Sequence, residues 1–355
     1  MPSQPLHAPE TVGNTSSLTA PSRQFSVSEA ERIAAEHYGI RASARRLAGE
    51  KDENFRLQAD HEAFFLKIVH AGEPAETTNL VTSALLHLEE VAPALPVQRV
   101  VETKRGQSEL HFHTSEGEDR RARMTSFLEG RLLHTVPSSL ELRINLGRIL
   151  ARLGTALATF RHPGAQRELL WDLQYAHRLQ ALLDQLDGLP NYRRIADCLD
   201  RFDVAVRPKL VQMRSQIIHN DLTPDNVLIG DDGVSVVGIL DFEDVTATQL
   251  VNDVAIAAAN QLVTGPDPVG PAIDVVRGYN GVCPLTGPEL ELLYDLVRTR
   301  LAVQIVISSW RAARFPENRT YIMRKTPRFH SLLSQLSASP TSTATRRLVG
   351  RCRPS

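Results

Sequence analysis

Cysteine is scarce in this 355-residue chain: Cys198, Cys283 and Cys352 are the only three, far apart and without a Cys-x-x-Cys pair. That spacing excludes a disulfide framework and a cysteine-based zinc site, and fits ordinary thiols in a reducing compartment. Long apolar runs are lacking as well. No stretch approaches 18 consecutive apolar residues, so no membrane-spanning helix is expected. The N-terminus has neither the basic start nor the apolar core of a secretory signal, and the expectation is a soluble, cytoplasmic protein. Charge of one sign is missing too. Forty basic residues face 41 acidic ones, a formal net charge of −1, which gives no overall drive toward nucleic acid or an anionic membrane and favours a small-molecule substrate. What the chain has is 42% hydrophobic residues and enough length to bury a large core in two lobes.

The two ends read differently from the middle. Residues 1–24 are rich in Ser, Thr and Pro, and 337–355 add Arg346, Arg347, Arg351 and Arg353 to a polar background, so both are expected to be disordered tails. Between them, Ser28 with Glu31 predicts a capped helix that ends at Gly39. Short β-type runs follow at 45–48, 55–59, 63–69, 97–101 and 120–127, with a helical pattern at Thr77 to Leu88. This predicts a small, mainly antiparallel sheet with one crossing helix over 25–127. From Ser138, with Glu141 three residues on, the pattern turns helical: Leu142, Leu146, Ile149, Leu153, Leu157 and Phe160 form one stripe. Further helices are expected near 171–186, 192–213, 251–262, 272–278 and 288–315, the last opened by a Thr286/Glu289 capping box. The class is therefore α+β, with a larger, mainly helical part over 128–336.

The densest information lies at His219-Asn220-Asp221-Leu222-Thr223-Pro224-Asp225-Asn226, followed fifteen residues later by Asp241-Phe242-Glu243. Phosphoryl transfer needs a carboxylate that orients and deprotonates the acceptor hydroxyl, and further oxygen ligands that hold Mg²⁺ on the nucleotide phosphates. Asp221 suits the first role, Asn226 and Asp241 the second. Val227 to Ile229 and Val234 to Leu240 read as two strands joined at Gly230-Asp231-Asp232-Gly233, a hairpin that returns Asp241 beside Asn226. Single Asp and Asn residues in loops are usually turn formers. This set, in this order and between two apolar strands, is not.

The segments HNDLTPDNVLI and GILDFEDV resemble the catalytic and metal loops of the aminoglycoside phosphotransferase and choline kinase superfamily, a branch of the protein-kinase-like fold. LAGEKDENF, FFLKI, SFLEGR and GYNGVCPLTGPE add similarity in the same order to the hydroxylysine kinase group within it, over roughly 26–336. The resemblance implies a bilobal protein-kinase-like fold, ATP (or GTP) as phosphoryl donor, Mg²⁺ as cofactor, and a small hydroxyl-bearing amine or amino acid as acceptor. It also implies roles. Lys67 would position the phosphates, Gly49, Asp52 and Asn54 would lie on the hairpin over them, and Ser126 and Leu128 would line the adenine site in the linker 125–130. His219 and Asp253 would support the catalytic loop. Glu76 is the nearest carboxylate for the usual Lys–Glu pair, because Asn79 stands at the family glutamate's position. Asp244 and Glu243 would meet acceptor amines, Arg300 an acceptor carboxylate, and Tyr279 with Trp310 would close that pocket. Hydroxylysine is the implied acceptor; homoserine, choline, ethanolamine or an aminoglycoside are alternatives within the same chemistry. A catalytically silent nucleotide-binding module is the alternative of another class. A protein kinase is disfavoured, since no Ala-Pro-Glu segment follows Asp241.

Overall fold

Residues 23–49, 51–114, 116–338 and 340–352 are described by a computed structural model. Residues 1–22 of the expected N-terminal tail, and 353–355 of the C-terminal one, lie outside the described residues. The first helix, α1 (Val27–Ile33), is capped by Ser26 with Glu29, not by Ser28 with Glu31. Both pairs have capping-box spacing, but the Glu31 carboxylate is taken by the Ala44 amide at 2.9 Å.

Five antiparallel strands then form a path in the order β1-β2-β3-β6-β4, with a sixth, β5, on β6. They are β1 (Ser43–Leu47), β2 (Glu53–Gln58), β3 (Ala63–Ile68), β4 (Val100–Val101), β5 (Leu110–His113) and β6 (Asp119–Ser126), with α2 (Ala75–Val91) crossing after β3. The period of two decides what each face carries. Leu66 and Ile68 join Phe55, Leu57, Ala122 and Met124 in a buried cluster under α1, which turns Lys67 to the opposite face. Lys67 lies in register between Asn54 of β2 and Arg123 of β6.

Beyond β6 the chain is mainly helical. A three-stranded sheet, β10-β9-β7, is built from β7 (Arg131–Leu132), β9 (Val227–Ile229) and β10 (Val236–Ile239), and β8 (Ser215–Ile218) pairs with β11 (Thr246–Gln249). Helix α3 (Leu140–Leu157) is capped by Ser139, whose hydroxyl accepts the Leu142 amide, one residue beyond the expected Ser138. The helix expected at 171–186 is a 3-10 run, Leu173–Leu179, plus a single turn, α4 (Gln180–Leu183). The one expected at 192–213 divides into α5 (Tyr192–Arg201), a π turn (Phe202–Val206) and α6 (Arg207–Leu210). Pro208 has no amide hydrogen to continue the α-helical ladder.

Helices α7 (Leu250–Asn260), α8 (Gly270–Asn280) and α9 (Gly287–Arg314) form the centre, and α10 (Arg319–Ile322) and α11 (Thr326–Leu336) pack on α9. At 28 residues α9 is about 42 Å long. It is buried on nearly every side, and the charged residues it takes into the core are paired: Asp295 with Arg201 and Arg298, and Arg300 with Asp221. Where α3 meets α8, two glycines let the backbones touch. A Cβ on Gly147 would lie 2.0 Å from the Val275 carbonyl oxygen, and one on Gly278 would lie 2.1 Å from that of Ile144.

The C-terminal segment departs from its expected disorder. Thr341–Cys352 is a helix, α12, packed on α8 and α9, with Leu348 and Cys352 buried and the Cys352 carbonyl accepting the Asn280 amide at 2.6 Å. Ala344, Leu348 and Cys352, four apart, are a short apolar stripe hidden in a Ser/Thr/Arg composition. Among the described residues no helix is long and apolar enough to cross a membrane.

Candidate active site

The hairpin β9–β10 is the scaffold. Its turn is fixed by Asp232, whose carboxylate accepts the Val234 and Ser235 amides at 2.9 Å each. At the open end the Leu240 amide donates to the Asn226 carbonyl at 2.9 Å, which returns Asp241 to Asn226. Asn220 (φ 65°) and Asp241 (φ 61°) both take the left-handed backbone conformation, which L residues other than glycine adopt at a cost. Both strained residues sit where the two loops meet.

Two buried groups hold the first loop. Asp253, in the first turn of α7, accepts the Asn220 amide (2.8 Å) and the His219 amide (3.2 Å). The His219 ring is fully buried and edge-on to Phe242, centroids 4.7 Å apart. Its Nδ1 accepts the Asp221 amide at 3.2 Å, so Nε2 carries the hydrogen and donates to the Leu240 carbonyl at 3.0 Å. Burial pushes its pKa down, and the neutral ring acts as a strut between the loops.

Three carboxylates crowd the space this frame encloses. Asp221 accepts the Asn226 amide at 2.8 Å on one oxygen and the Arg300 guanidinium at 3.0 Å on the other. Burial pushes its pKa up to about 6; Arg300 pulls against this and Asp241 adds to it. Asp244 is pushed up to about 7, first by burial and then by repulsion from Asp221 and Asp241. Among the described residues no hydrogen bond or ion pair reaches the Asp244 carboxylate. Asp241 itself is exposed, with one oxygen accepting the Glu243 amide at 3.3 Å.

The cations face this group from the N-terminal sheet. Lys67 Nζ lies 2.9 Å from Glu243 Oε1 and 3.2 Å from Asp52 Oδ2, and Arg123 reaches the same Glu243 oxygen at 3.0 Å. Burial alone would lower the Lys67 pKa, but Glu243, Asp52 and Asp241 outweigh it and raise the value. Burial opposes the ionised form of Glu243, yet Lys67 and Arg123 hold its carboxyl well below the usual carboxylate range. The expected Lys67–Glu76 pair is therefore replaced. Glu76 lies exposed on the first turn of α2 beside Gly164, while Asn79 bonds His162 at 3.0 Å.

The hairpin tip between β1 and β2 is tied to the same network. Asp52 accepts the His70 amide at 2.9 Å, and the Asn54 amide donates to the Ala48 carbonyl at 3.3 Å. A Cβ on Gly49 would come within 2.5 Å of the Asp52 carbonyl oxygen, so the turn as built needs glycine. Ser126 is bound to Arg99 through its hydroxyl and its amide, and Leu128 follows it, half-buried.

Four expected acceptor contacts are engaged elsewhere, Glu243 among them, since its carboxylate is held by Lys67 and Arg123. Arg300 is spent on Asp221 and on the Trp171 carbonyl (3.0 Å), and Tyr279 is buried where α8 packs on α3, its hydroxyl beside Gly154. Trp310 is likewise buried in the core. Pattern reading missed Arg123, although it occupies the strand position opposite Lys67. It also missed Arg167, whose guanidinium binds the carbonyls of Glu243 and Val245 from an irregular loop with no periodic signal.

Among the described residues no group of three or more His, Cys, Asp or Glu side chains is arranged to hold a metal unaided. The donor set nonetheless fits magnesium, which accepts one or two protein oxygens when phosphates and water complete its shell. Asn226 and Asp241 offer such oxygens, and the mutual repulsion of Asp221, Asp241 and Asp244 is what a divalent cation would relieve.

Residues 43–292 match the model of the phosphotransferase enzyme family. A hydroxylysine kinase of Danio rerio is 29% identical over 300 residues, which cover 81% of this chain and 84% of that one. The hydroxylysine kinase of Bos taurus is 27% identical over 331 residues, 86% and 87% of the two chains. Among solved structures, amicoumacin kinase in complex with AMP-PNP, Ca²⁺ and Ami superposes with a TM-score of 0.66 at 16% identity, covering 89% of this chain and 95% of that one. The AMP-bound spectinomycin phosphotransferase gives 0.62 at 13% identity, covering 89% and 99%. At such identities these structures are alike in fold.

Proposed function

The chain belongs to the phosphotransferase enzyme family, and from that premise we propose that it transfers the γ-phosphoryl group of ATP, or of GTP, to the hydroxyl of an amino-acid or amino-alcohol acceptor of the hydroxylysine kind. The observation that carries the proposal is the convergence of Asp221, Asn226 and Asp241 at the neck of one hairpin, with Lys67 facing them through Glu243. Asp221 takes the acceptor proton, and the Asn226 amide and Arg300 fix its direction. Magnesium, when bound at Asn226 and Asp241, supplies charge neutralisation on the phosphates. Lys67 binds the phosphates, Glu243 orients Lys67, and Gly49, Asp52 and Asn54 shape the hairpin above. Ser126 and Leu128 line the base site. Asp244, whose carboxylate accepts no hydrogen bond among the described residues and feels Arg167 and Arg300 only at a distance, receives an acceptor ammonium. His219 and Asp253 do no chemistry; they hold the loop on which Asp221 sits. Catalysis is then mostly positioning and electrostatics.

The test is ADP release across a panel of hydroxylysine, homoserine, choline, ethanolamine and an aminoglycoside. Hydroxylysine is expected to give the highest kcat/KM, and no release with any acceptor would leave only the silent module. The acid limb of the rate profile gives a second check. Asp221 must be ionised to accept a proton, and its pKa stands at about 6, with Asp244 at about 7. In the free enzyme, kcat/KM for the nucleotide should therefore fall as pH drops through 7 to 6. Arg300→Gln removes the group that favours the ionised form, so the limb should move to higher pH. An unmoved limb would mean that Arg300 does not act on the base.

A further inference from the structure

Asp225, next to Asn226, is surrounded by basic side chains. One carboxylate oxygen accepts Lys325 Nζ at 2.5 Å and Arg324 at 3.3 Å, and the other meets His134 Nδ1 at 2.9 Å. Two permanent cations stand against this one carboxylate, and Lys325 also acts on Asp221. These side chains are 34% to 45% exposed, so a ligand can reach them. The arrangement is also built. Arg324 stacks on the Tyr321 ring, 3.8 Å from its centroid, and donates to the Tyr321 carbonyl at 3.0 Å, which holds the guanidinium in place. Lys325 stands at the N-cap of the 11-residue helix α11, whose positive end adds to the same field. The pair lies near the proposed base: Asp225 and Asp221 share one loop, and Lys325 lies close enough to pull the Asp221 pKa down.

We propose that Arg324 and Lys325 receive the carboxylate of an amino-acid acceptor while its hydroxyl lies at Asp221. This rests on the kinase reading above and narrows it, from amino alcohols in general to acceptors that carry a carboxylate. The incoming carboxylate shares these two cations with Asp225 and takes the role that Arg300, bound to Asp221, does not fill. A hydroxyl compound without that group reaches Asp221 with no partner at this end.

The experiment compares hydroxylysine with its decarboxylated counterpart, 1,5-diaminopentan-2-ol, in the wild type and in the R324Q/K325Q double variant. Wild type is expected to prefer hydroxylysine, and the double variant to lose about 10- to 100-fold more in kcat/KM for hydroxylysine than for the diamine, mainly through KM, beyond any loss that both share through Asp221. Equal losses on both substrates, or none, would overturn the proposal. So would a panel in which the preferred acceptor has no carboxylate, even though the kinase reading would then stand. If no acceptor is turned over, a thermal-shift comparison of lysine with cadaverine decides the matter without catalysis. Stabilisation by lysine that the double variant abolishes supports the site, and equal shifts, or none, refute it.

Discussion

Asp221→Asn is expected to lower kcat by about 10²- to 10⁴-fold while leaving the nucleotide dissociation constant within a few-fold of wild type. The substitution is nearly isosteric, and the new carbonyl oxygen can still accept from Asn226 or Arg300, so the loop geometry should survive. What disappears is the capacity to take a proton. The proposed nucleotide side is separate: Lys67, Asp52, Glu243 and Arg123 are bonded to one another and not to Asp221. Removing one charge from the group of Asp221, Asp241 and Asp244 lessens their repulsion of the phosphates and also their attraction for magnesium, so the two electrostatic effects on nucleotide binding oppose each other. Steady-state turnover, calorimetric titration with a non-hydrolysable nucleotide and an unfolding curve on the same preparation check the three parts. A folded variant that turns over within tenfold of wild type would remove Asp221 from the role of base.

The second large effect concerns stability. Gly278→Val should cost about 3 kcal/mol or more, because the atom it adds meets backbone and not a side chain that can rotate away. The Cβ position lies 2.1 Å from the Ile144 carbonyl oxygen, so α3 and α8 must separate along a seam that also contains Gly147. Glycine within a helix costs roughly 0.5–1 kcal/mol relative to alanine, a cost the close approach of these helices offsets. Gly287→Ala is the control, since a Cβ there meets nothing within 4 Å. Urea unfolding should show a lower midpoint for Gly278→Val and little change for the control. Matching midpoints would mean that the helices do not meet as closely as described.

Local chemistry made much of the fold and the site legible in the sequence. The turn at 230–233 and its flanking apolar runs announce the hairpin, and Thr286 with Glu289 marks the start of α9, because in each case the deciding contacts lie within a few residues. The partner of Lys67 could not be read in this way, since Glu243 is 176 positions away and pairs only once the fold has closed. Arg300 looked available for substrate because no pattern shows that a helix residue 79 positions on will face Asp221. Tyr279 resembled a pocket residue until the small side chains of α3 opened room for it in the core. At α12 the composition misled: polar and basic residues outnumber the three that anchor the helix.

The bond from Lys67 and Arg123 to Glu243 has a mechanical side. Glu243 is two residues from Asp241 and adjacent to Asp244, and its carboxylate is clasped by two cations rooted in neighbouring strands of the N-terminal sheet. A tilt of that sheet would therefore pull on the backbone that carries both aspartates, gearing the N-terminal strands to the segment after β10.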